Sequence, residues 1–179
     1  EAVGLDRAVA AADLARWEPP AGRGRREILA LDEVEDDHIE LIDDAFNANP
    51  ASLVASLQVL ADIARPERRS RKIAIIGDML ELGMSEFDEH ARVARLPSIA
   101  ALDLVHCVGP LMRHAWEALP TEQQGDWFET ADELAAKVRG YLRAGDIVLV
   151  KGSKGIGVSR VVSAIRLAMR PKTERRGIE

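Results

Sequence analysis

The sequence is poor in the features that mark secreted and membrane-spanning proteins. It contains a single cysteine, Cys107, so it builds neither a disulfide framework nor a cysteine metal site, and the apolar run around Cys107 predicts a buried structural role. No apolar run approaches the ~20 residues that cross a bilayer. The first residues also lack a basic start followed by a hydrophobic stretch. We therefore expect a cytoplasmic protein that does not enter a membrane.

Two further absences limit the function. The chain carries 30 acidic against 24 basic side chains, a formal charge of -6, whereas a general nucleic-acid binder presents a basic face. The pattern G-x-x-x-x-G-K-[ST], whose backbone cradles nucleotide phosphates, is also missing. We expect no nucleic-acid partner, and nothing obvious holds the β and γ phosphates of a nucleotide.

What the sequence does contain is enough apolar surface for one domain. Hydrophobic residues make up 47% of the 179 positions, so the chain can bury a core and hold one domain plus a small extra piece. The first 17 residues are Ala-rich with helical spacing, and the Pro-, Gly- and Arg-rich stretch 19–26, called the linker below, follows them. We interpret 1–17 as the last helix of a preceding domain, with an ordinary N-terminal helix of a complete protein as the alternative. The charged stretch 170–179 is predicted to be a solvated end.

Beyond the linker, apolar strand-like segments alternate with helical ones. Near-continuous apolar runs favour a parallel sheet covered on both faces. The predicted fold is therefore α/β: a Rossmann-like, doubly wound, mostly parallel sheet with helices on both faces, from about Ile28 to Arg170. The predicted strands lie at 28–31, 38–42, 72–77, 103–109, 126–129 and 146–152, and the helices at 51–65, 86–94, 111–119, 131–143 and 158–169.

Three of the predicted helices begin with residues that favour an N-cap. Asn49 precedes Pro50 at the first helical position, Ser85 opens the second helix, and Thr130 stands three residues before Glu133 in a capping box.

Polar residues follow the strand at 38–42. Asp43 and Asp44 lie side by side, and Asn47 and Asn49 come before the next helix. In doubly wound folds ligands gather at the carboxyl ends of strands, so these groups are placed where a ribose, an adenine edge or a metal could sit. Asp and Asn are also common in turns because they bond their own backbone, so a structural role stays open.

Two later strand ends are rich in glycine. After 72–77, Asp78 or Glu81 could hold a cation or orient a lysine, or form a solvated acid pair in a loop. After the last strand, Lys151 and Lys154 lie among glycines that open a helix, which suits a phosphate or carboxylate. A plain strand-to-helix turn explains the second pattern equally well.

Taken together, these elements resemble a known family. The segments DDAFNANPASL, GDMLELG with His90 downstream, and LVKGSKG match, in order and spacing, the C-terminal domain of the Mur ligase family, in the branch that joins D-Ala-D-Ala to UDP-N-acetylmuramoyl-tripeptide. The resemblance covers about Leu14 to Ala168. It implies a boundary with residues 1–22 as the end of a central ATPase domain and linker, and 23–179 as the C-terminal domain.

The resemblance also implies roles for individual residues. Arg23, with Arg25 and Arg26 as alternatives for its register, matches an arginine that reaches the nucleotide. Asp44, Asn47 and Asn49 match the ATP side of the cleft. Lys151 and Ser153 match a loop placed to meet the dipeptide carboxylate. Phe46 stands where most relatives have tyrosine, so a role for that hydroxyl is lost while stacking survives.

The partners implied by the resemblance are ATP, D-Ala-D-Ala and, through domains that precede this chain, UDP-N-acetylmuramoyl-tripeptide. Such a ligase forms an acyl phosphate on the peptide carboxylate, which the dipeptide amine attacks. The catalytic residues, the P-loop and the Mg²⁺ ligands belong to the central domain. We therefore expect no metal site and no turnover in this chain alone, in a protein that is monomeric.

Two other functional interpretations are consistent with the same residues. A stand-alone Rossmann-like module that binds a nucleotide or anion without catalysis would show the same strand ends. A phosphoacceptor receiver domain also has an acidic pair after an early strand and a lysine after a late one. However, the strand at 103–109 ends in Gly109 and Pro110 without the acceptor aspartate.

Overall fold

The computed structural model describes residues 6, 9, 17–31 and 37–171. Most of the helix predicted over 1–17, and the tail beyond residue 171, lie outside the described residues. A seven-stranded sheet forms the centre of the described part, with the strand order β5-β4-β3-β6-β2-β1-β7. Its strands are β1 (Arg25–Ala30), β2 (His38–Asp44), β3 (Lys72–Gly77), β4 (Leu104–Val108), β5 (Gln124–Phe128), β6 (Ile147–Lys151) and β7 (Arg170–Pro171).

The sheet is mostly parallel, as predicted. Strands β2, β6, β3, β4 and β5 pair in parallel, whereas β1 runs antiparallel to both β2 and β7. In the described part of the chain five α-helices connect the strands: α1 (Pro50–Asp62), α2 (Glu86–Val93), α3 (Met112–Ala118), α4 (Ala131–Lys137) and α5 (Ser159–Ala168).

One predicted helix ends early. The segment expected to be helical to residue 143 is α-helical only to Lys137 and continues as a 3₁₀ turn over Val138–Tyr141. Gly140 lies in that turn, and glycine costs about 1 kcal/mol relative to alanine in a helix interior. The tighter turn is a common way for a helix to finish.

Helices cover both faces of the sheet, because successive strand residues point to opposite sides. The core on one face contains residues of α1, α2 and α3, and the core on the other contains residues of α4 and α5. Neighbouring residues in three central strands divide between these cores: Ile42, Ile76 and Leu149 belong to the first, and Leu41, Ile75 and Val150 to the second.

This winding places a crevice in the sheet. The chain leaves β2 and β3 for α1 and α2 on the first face, and it leaves β6, which lies between those two strands, for α5 on the second face. Connections that part to opposite faces open a crevice at the carboxyl ends of the strands, where ligands bind in such folds. All three predicted polar strand ends, after β2, β3 and β6, therefore meet at one place.

Two of the three predicted caps are confirmed. The Asn49 side chain accepts from the Ser52 N–H at 2.8 Å, and the Ser52 hydroxyl accepts from the Asn49 N–H at 3.0 Å. The Thr130 hydroxyl accepts from the Glu133 N–H at 3.3 Å, but in the described part of the chain the Glu133 side chain makes no return bond, so the cap is confirmed without the predicted capping box. The predicted N-cap at Ser85 is wrong, because its side chain makes no cap bond to α2. A 3₁₀ turn over Gly83–Ser85 precedes the helix, and the Ser85 hydroxyl donates instead to the Leu82 carbonyl.

Cys107 is fully buried in β4, as predicted, and burial raises the pKa of its thiol. Among the described residues, no helix is long and apolar enough to cross a membrane.

His106 is a buried histidine with one unpaired nitrogen. It lies in β4 with 2% of its surface exposed, and its Nδ1 accepts from the Asp126 N–H at 3.0 Å, so the ring carries its hydrogen on Nε2. That Nε2 is a buried side-chain nitrogen without a hydrogen-bond partner in the described part of the chain. Burial lowers the pKa of His106 below its ordinary value.

This histidine is expected to make stability depend on pH. Because the pKa is lower in the folded state, the unfolded chain takes up the proton first, and stability is lost as pH falls below about 6.5. His106→Gln retains an acceptor but does not titrate, so its free energy of unfolding should fall less between pH 7 and 5. Urea unfolding at both pH values measures this. The exposed His114→Gln is the control, and equal pH dependence in wild type and His106→Gln would contradict the prediction.

Candidate functional site

The two acidic residues at the end of β2 play different parts. Asp43 is 3% exposed and accepts from the Arg166 Nη2 at 2.7 Å, the Gly22 N–H at 3.2 Å and the Ala45 N–H at 3.3 Å. These contacts bind the linker and α5 to the sheet. Asp43 is therefore occupied by the fold itself, and of the pair only Asp44 is left to face a ligand.

Asp44 lies on the crevice and belongs to a small polar cluster. Its Oδ2 accepts from the Lys151 Nζ at 2.7 Å and from the Ser56 hydroxyl at 2.6 Å. The Lys151 Nζ also donates to the Asn47 carbonyl at 3.1 Å. The cluster joins the carboxyl ends of the neighbouring strands β2 and β6 to the first turns of α1.

The Lys151 and Ser153 side chains are buried and fully engaged. Lys151 is 2% exposed, and the Ser153 hydroxyl accepts from the Leu80 N–H at 2.8 Å and donates to the Ala48 carbonyl at 3.2 Å. Ser153 thus ties together the loops that follow all three strands. Their predicted contact with a dipeptide carboxylate stays a prediction, since both side chains serve this internal network.

Arg23 and Phe46 form an exposed stack beside the cluster, which we call the Arg23–Phe46 platform. The Arg23 guanidinium carbon lies 4.1 Å from the centre of the Phe46 ring, a cation–π geometry, and the ring is 43% exposed. Arg25 instead pairs with Glu18 and Glu27, and Arg26 pairs with Glu40. The geometry therefore favours Arg23 over its neighbours as the arginine that reaches a ligand.

The two asparagines differ in how free they are. Both are exposed, but the Asn49 side chain is used as the cap of α1. The backbone carbonyl of Asn47 accepts from Lys151, and the residue is exposed beside the polar cluster. Asn47 is thus better placed than Asn49 to meet a ligand through its side-chain amide.

The loop after β3 is built around Asp78 and His90. Asp78 is 1% exposed and accepts from the Met112 N–H at 2.6 Å and the Leu111 N–H at 3.2 Å, so it caps α3, and burial raises its pKa. The fully buried His90 accepts from the Met79 N–H at 2.9 Å. These contacts commit Asp78 to the fold, and Glu81 points outward from a backbone with φ of 65°.

No metal site is assembled in the described part of the chain. It contains no group of three or more His, Cys, Asp or Glu side chains able to hold an ion. The Lys151 ammonium beside Asp44 also opposes a second cation there. These residues do not fit a Mg²⁺ ion, whose assignment to a preceding domain stays a prediction.

Ser56, which contacts Asp44, and Arg166, which contacts Asp43, were not predicted from the sequence. Ser56 lies in α1, twelve residues after Asp44, and Arg166 lies in α5, far from Asp43 along the chain. Helical spacing would place Ser52 and Ser56 on one face, but only the packing of α1 against the sheet brings that face to Asp44.

Residues 24–154 match the family described as Mur ligase, glutamate ligase domain. The chain is 36% identical over 167 residues to the UDP-N-acetylmuramoyl-tripeptide--D-alanyl-D-alanine ligase of Mycobacterium tuberculosis (strain CDC 1551 / Oshkosh), covering 82% of this chain and 32% of the relative. The ligase of the same name from Bacillus subtilis (strain 168) is 30% identical over 131 residues, covering 71% and 28%.

Solved structures give the same fold. MurF ligase from Thermotoga maritima, in complex with ADP, aligns with a TM-score of 0.68 at 21% identity, over 88% of this chain and 33% of that one. A structure of MurF from Acinetobacter baumannii aligns with a TM-score of 0.70 at 24% identity, over 90% and 34%. This chain spans about one third of the length of these relatives.

Proposed function

Because the chain belongs to the Mur ligase family, we propose that it is the C-terminal domain of an ATP-dependent ligase that joins D-Ala-D-Ala to UDP-N-acetylmuramoyl-tripeptide in peptidoglycan precursor synthesis. The observation that carries the proposal is the crevice where β2, β3 and β6 end, lined by Asp44, Asn47 and the Arg23–Phe46 platform. The proposal is also supported by the sequence similarity of this chain to UDP-N-acetylmuramoyl-tripeptide--D-alanyl-D-alanine ligases.

The nucleotide side of the crevice is formed by the platform and Asp44. A cationic guanidinium on an aromatic ring offers a flat surface for a base and a positive charge for a phosphate. A carboxylate accepts strong hydrogen bonds from hydroxyls such as those of a ribose. Arg23, Asp44, Asn47 and Asn49 are thus proposed to contact ATP, with Asn49 also serving as the cap of α1.

The dipeptide side is proposed to be the loop after β6. Lys151 and Ser153 hold this loop against the loops after β2 and β3, and the glycines at 152, 155 and 157 let it pack closely against Gly77, Leu80 and Arg160. In this arrangement the loop, rather than the Lys151 ammonium, borders the dipeptide carboxylate.

The reaction needs more than this chain. ATP phosphorylates the peptide carboxylate, and the amine of D-Ala-D-Ala then displaces phosphate from the acyl phosphate to form the amide. The transition-state charge lies on the phosphates, and the chain has neither a P-loop nor a metal cluster in its described residues to stabilise it. The preceding domains are proposed to supply those groups and to bind the UDP-sugar. Dependence on ATP supports a cytoplasmic location.

The full-length protein that contains this chain should release ADP only when both UDP-N-acetylmuramoyl-tripeptide and D-Ala-D-Ala are present, and should form the pentapeptide product. Residues 1–179 alone should form none, because the phosphate-binding groups are missing. Coupled ADP release and mass spectrometry of the product measure both.

Controls omit each substrate in turn. Ligation by residues 1–179 alone would contradict the assignment of catalysis to the preceding domains. A full-length protein that binds ATP but forms no product would favour a nucleotide-binding module without catalysis.

A further inference from the structure

Two donors from different elements converge on one oxygen of Asp44. The Lys151 Nζ, from the end of β6, lies 2.7 Å from Oδ2, and the Ser56 hydroxyl, from α1, lies 2.6 Å from the same atom. Within the described residues, the other oxygen, Oδ1, accepts no hydrogen bond. The Asp44 side chain is 19% exposed, so it is neither sealed in the core nor free to rotate in solvent.

The buried charge of Lys151 keeps its ammonium beside Asp44 and the Asn47 carbonyl. An ammonium that is 2% exposed is stable only with compensating acceptors, here the Asp44 carboxylate and the Asn47 carbonyl. Moving Nζ to a ligand would break both bonds and leave Asp44 without its counter-charge. The direct partner of Lys151 is therefore Asp44.

Ser56 restricts rotation of the Asp44 carboxylate about its bond to Lys151. Its hydroxyl lies 2.8 Å from the Ser52 carbonyl one turn back, so the side chain has little freedom of its own. An ion pair alone leaves a carboxylate free to pivot about its charged partner. A second donor from a second element removes that freedom.

We propose that Lys151 and Ser56 are positioning residues that together hold Oδ2 of Asp44 and turn Oδ1 toward a hydroxyl of the bound nucleotide. The inference rests on the proposed function, in which Asp44 contacts ATP. It assigns Lys151 an action through Asp44 and gives Ser56 a part in nucleotide binding. Holding an acceptor in place raises affinity by removing the cost of ordering it on binding.

The test uses the full-length protein and separates the KM for ATP from the KM for D-Ala-D-Ala. Ser56→Ala should raise the KM for ATP about 5- to 10-fold, the effect of losing one ordinary hydrogen bond among those that hold Asp44, and leave the KM for D-Ala-D-Ala unchanged. Ser56→Thr retains the hydroxyl and should restore the KM for ATP. Lys151→Gln should raise it further, and Asp44→Asn provides the reference for loss of the carboxylate.

Ser163→Ala is the matched control. The Ser163 hydroxyl donates to the Ser159 carbonyl, four residues back in α5, at 3.1 Å, and among the described residues it makes no hydrogen bond to a carboxylate. Its removal should leave both KM values at the wild-type level. Thermal unfolding of every variant records any general loss of stability.

Each outcome either supports or overturns the inference. Absence of ligation by the wild type removes the proposed function and the inference with it. Wild-type ligation, with a raised KM for ATP in Asp44→Asn but not in Ser56→Ala, overturns the inference alone. So does an equal rise of both KM values in Ser56→Ala, or an unchanged KM in Asp44→Asn. If Lys151→Gln does not fold, the two Ser56 variants decide.

Discussion

Replacing Gly109 with alanine is expected to lower the free energy of unfolding by about 3 kcal/mol or more, since it combines backbone strain with a steric clash. Gly109 follows β4 with a φ of 104°, in the region that side chains other than glycine's rarely adopt. A Cβ there would lie 2.4 Å from the carboxyl carbon of Asp78. Asp78 cannot move aside without giving up the two amides of α3 that it caps.

Alanine substitutions at two other glycines distinguish the effect of backbone strain from that of the steric clash. Gly24 has a φ of 84° but open space around its Cβ position, and Gly140 has open space and no positive φ. Chemical unfolding followed by circular dichroism should rank the alanine variants, with Gly140→Ala gaining up to about 1 kcal/mol, Gly24→Ala losing about 1 kcal/mol and Gly109→Ala losing the most. A Gly109 variant no less stable than the Gly24 variant would show that Asp78 yields without cost.

Replacing Asp43 with alanine should cost about 2–3 kcal/mol, because it removes a buried carboxylate from an arginine and two backbone amides. The Asp43 side chain is 5% exposed, whereas that of Arg166 is 35% exposed and retains Glu27 as a partner. The expected loss of stability is therefore smaller than for breaking a fully buried ion pair. The variant also loosens the linker, because the Gly22 N–H loses its acceptor while the backbone bonds of Gly22 and Gly24 remain.

Two measurements check the Asp43 prediction. Unfolding should show the loss of stability, and trypsin should cut at Arg23, Arg25 or Arg26 faster than in the wild type. Glu27→Ala breaks the other ion pair of Arg166 without touching Gly22, so it should cost about 1 kcal/mol and leave cleavage at Arg23 unchanged. Equal cleavage at Arg23 in the Asp43 and Glu27 variants would contradict a role for Asp43 in holding the linker.

The different fates of Asp43 and Asp44 show what the sequence could and could not predict. The pattern of apolar runs predicted every central strand and the fold class, because burial on both faces leaves a strong signal. It also predicted that polar groups would gather where strands end. It did not show which carboxylate faces the crevice. The alternation in β2 sends Asp43 to the face of α5 and Asp44 to the face of α1, and only the folded structure shows which helix covers which face.

The Lys151–Asp44 pair could not be predicted from spacing at all. It exists because β6 inserts between β2 and β3, and that strand order is a property of the folded sheet rather than of any local pattern. The same holds for Ser153, whose hydroxyl joins loops more than seventy residues apart. Local signals were more reliable at the N-cap of α1, where Asn49 and Pro50 act within one turn, than at Ser85, where a preceding 3₁₀ turn changed the entry to α2.

The attachment of the linker also sets how far the chain can be shortened. Gly22 donates to the Asp43 side chain and accepts from the Phe46 N–H at 2.9 Å, and Gly24 donates to the Asp43 carbonyl at 2.8 Å. A truncation that removes residues 1–20 keeps all three bonds. One that removes residues 1–24 loses them, together with the cation above Phe46. The smallest unit that presents the Arg23–Phe46 platform in its native orientation therefore begins no later than residue 21, and the platform belongs structurally to the sheet rather than to the chain that precedes it.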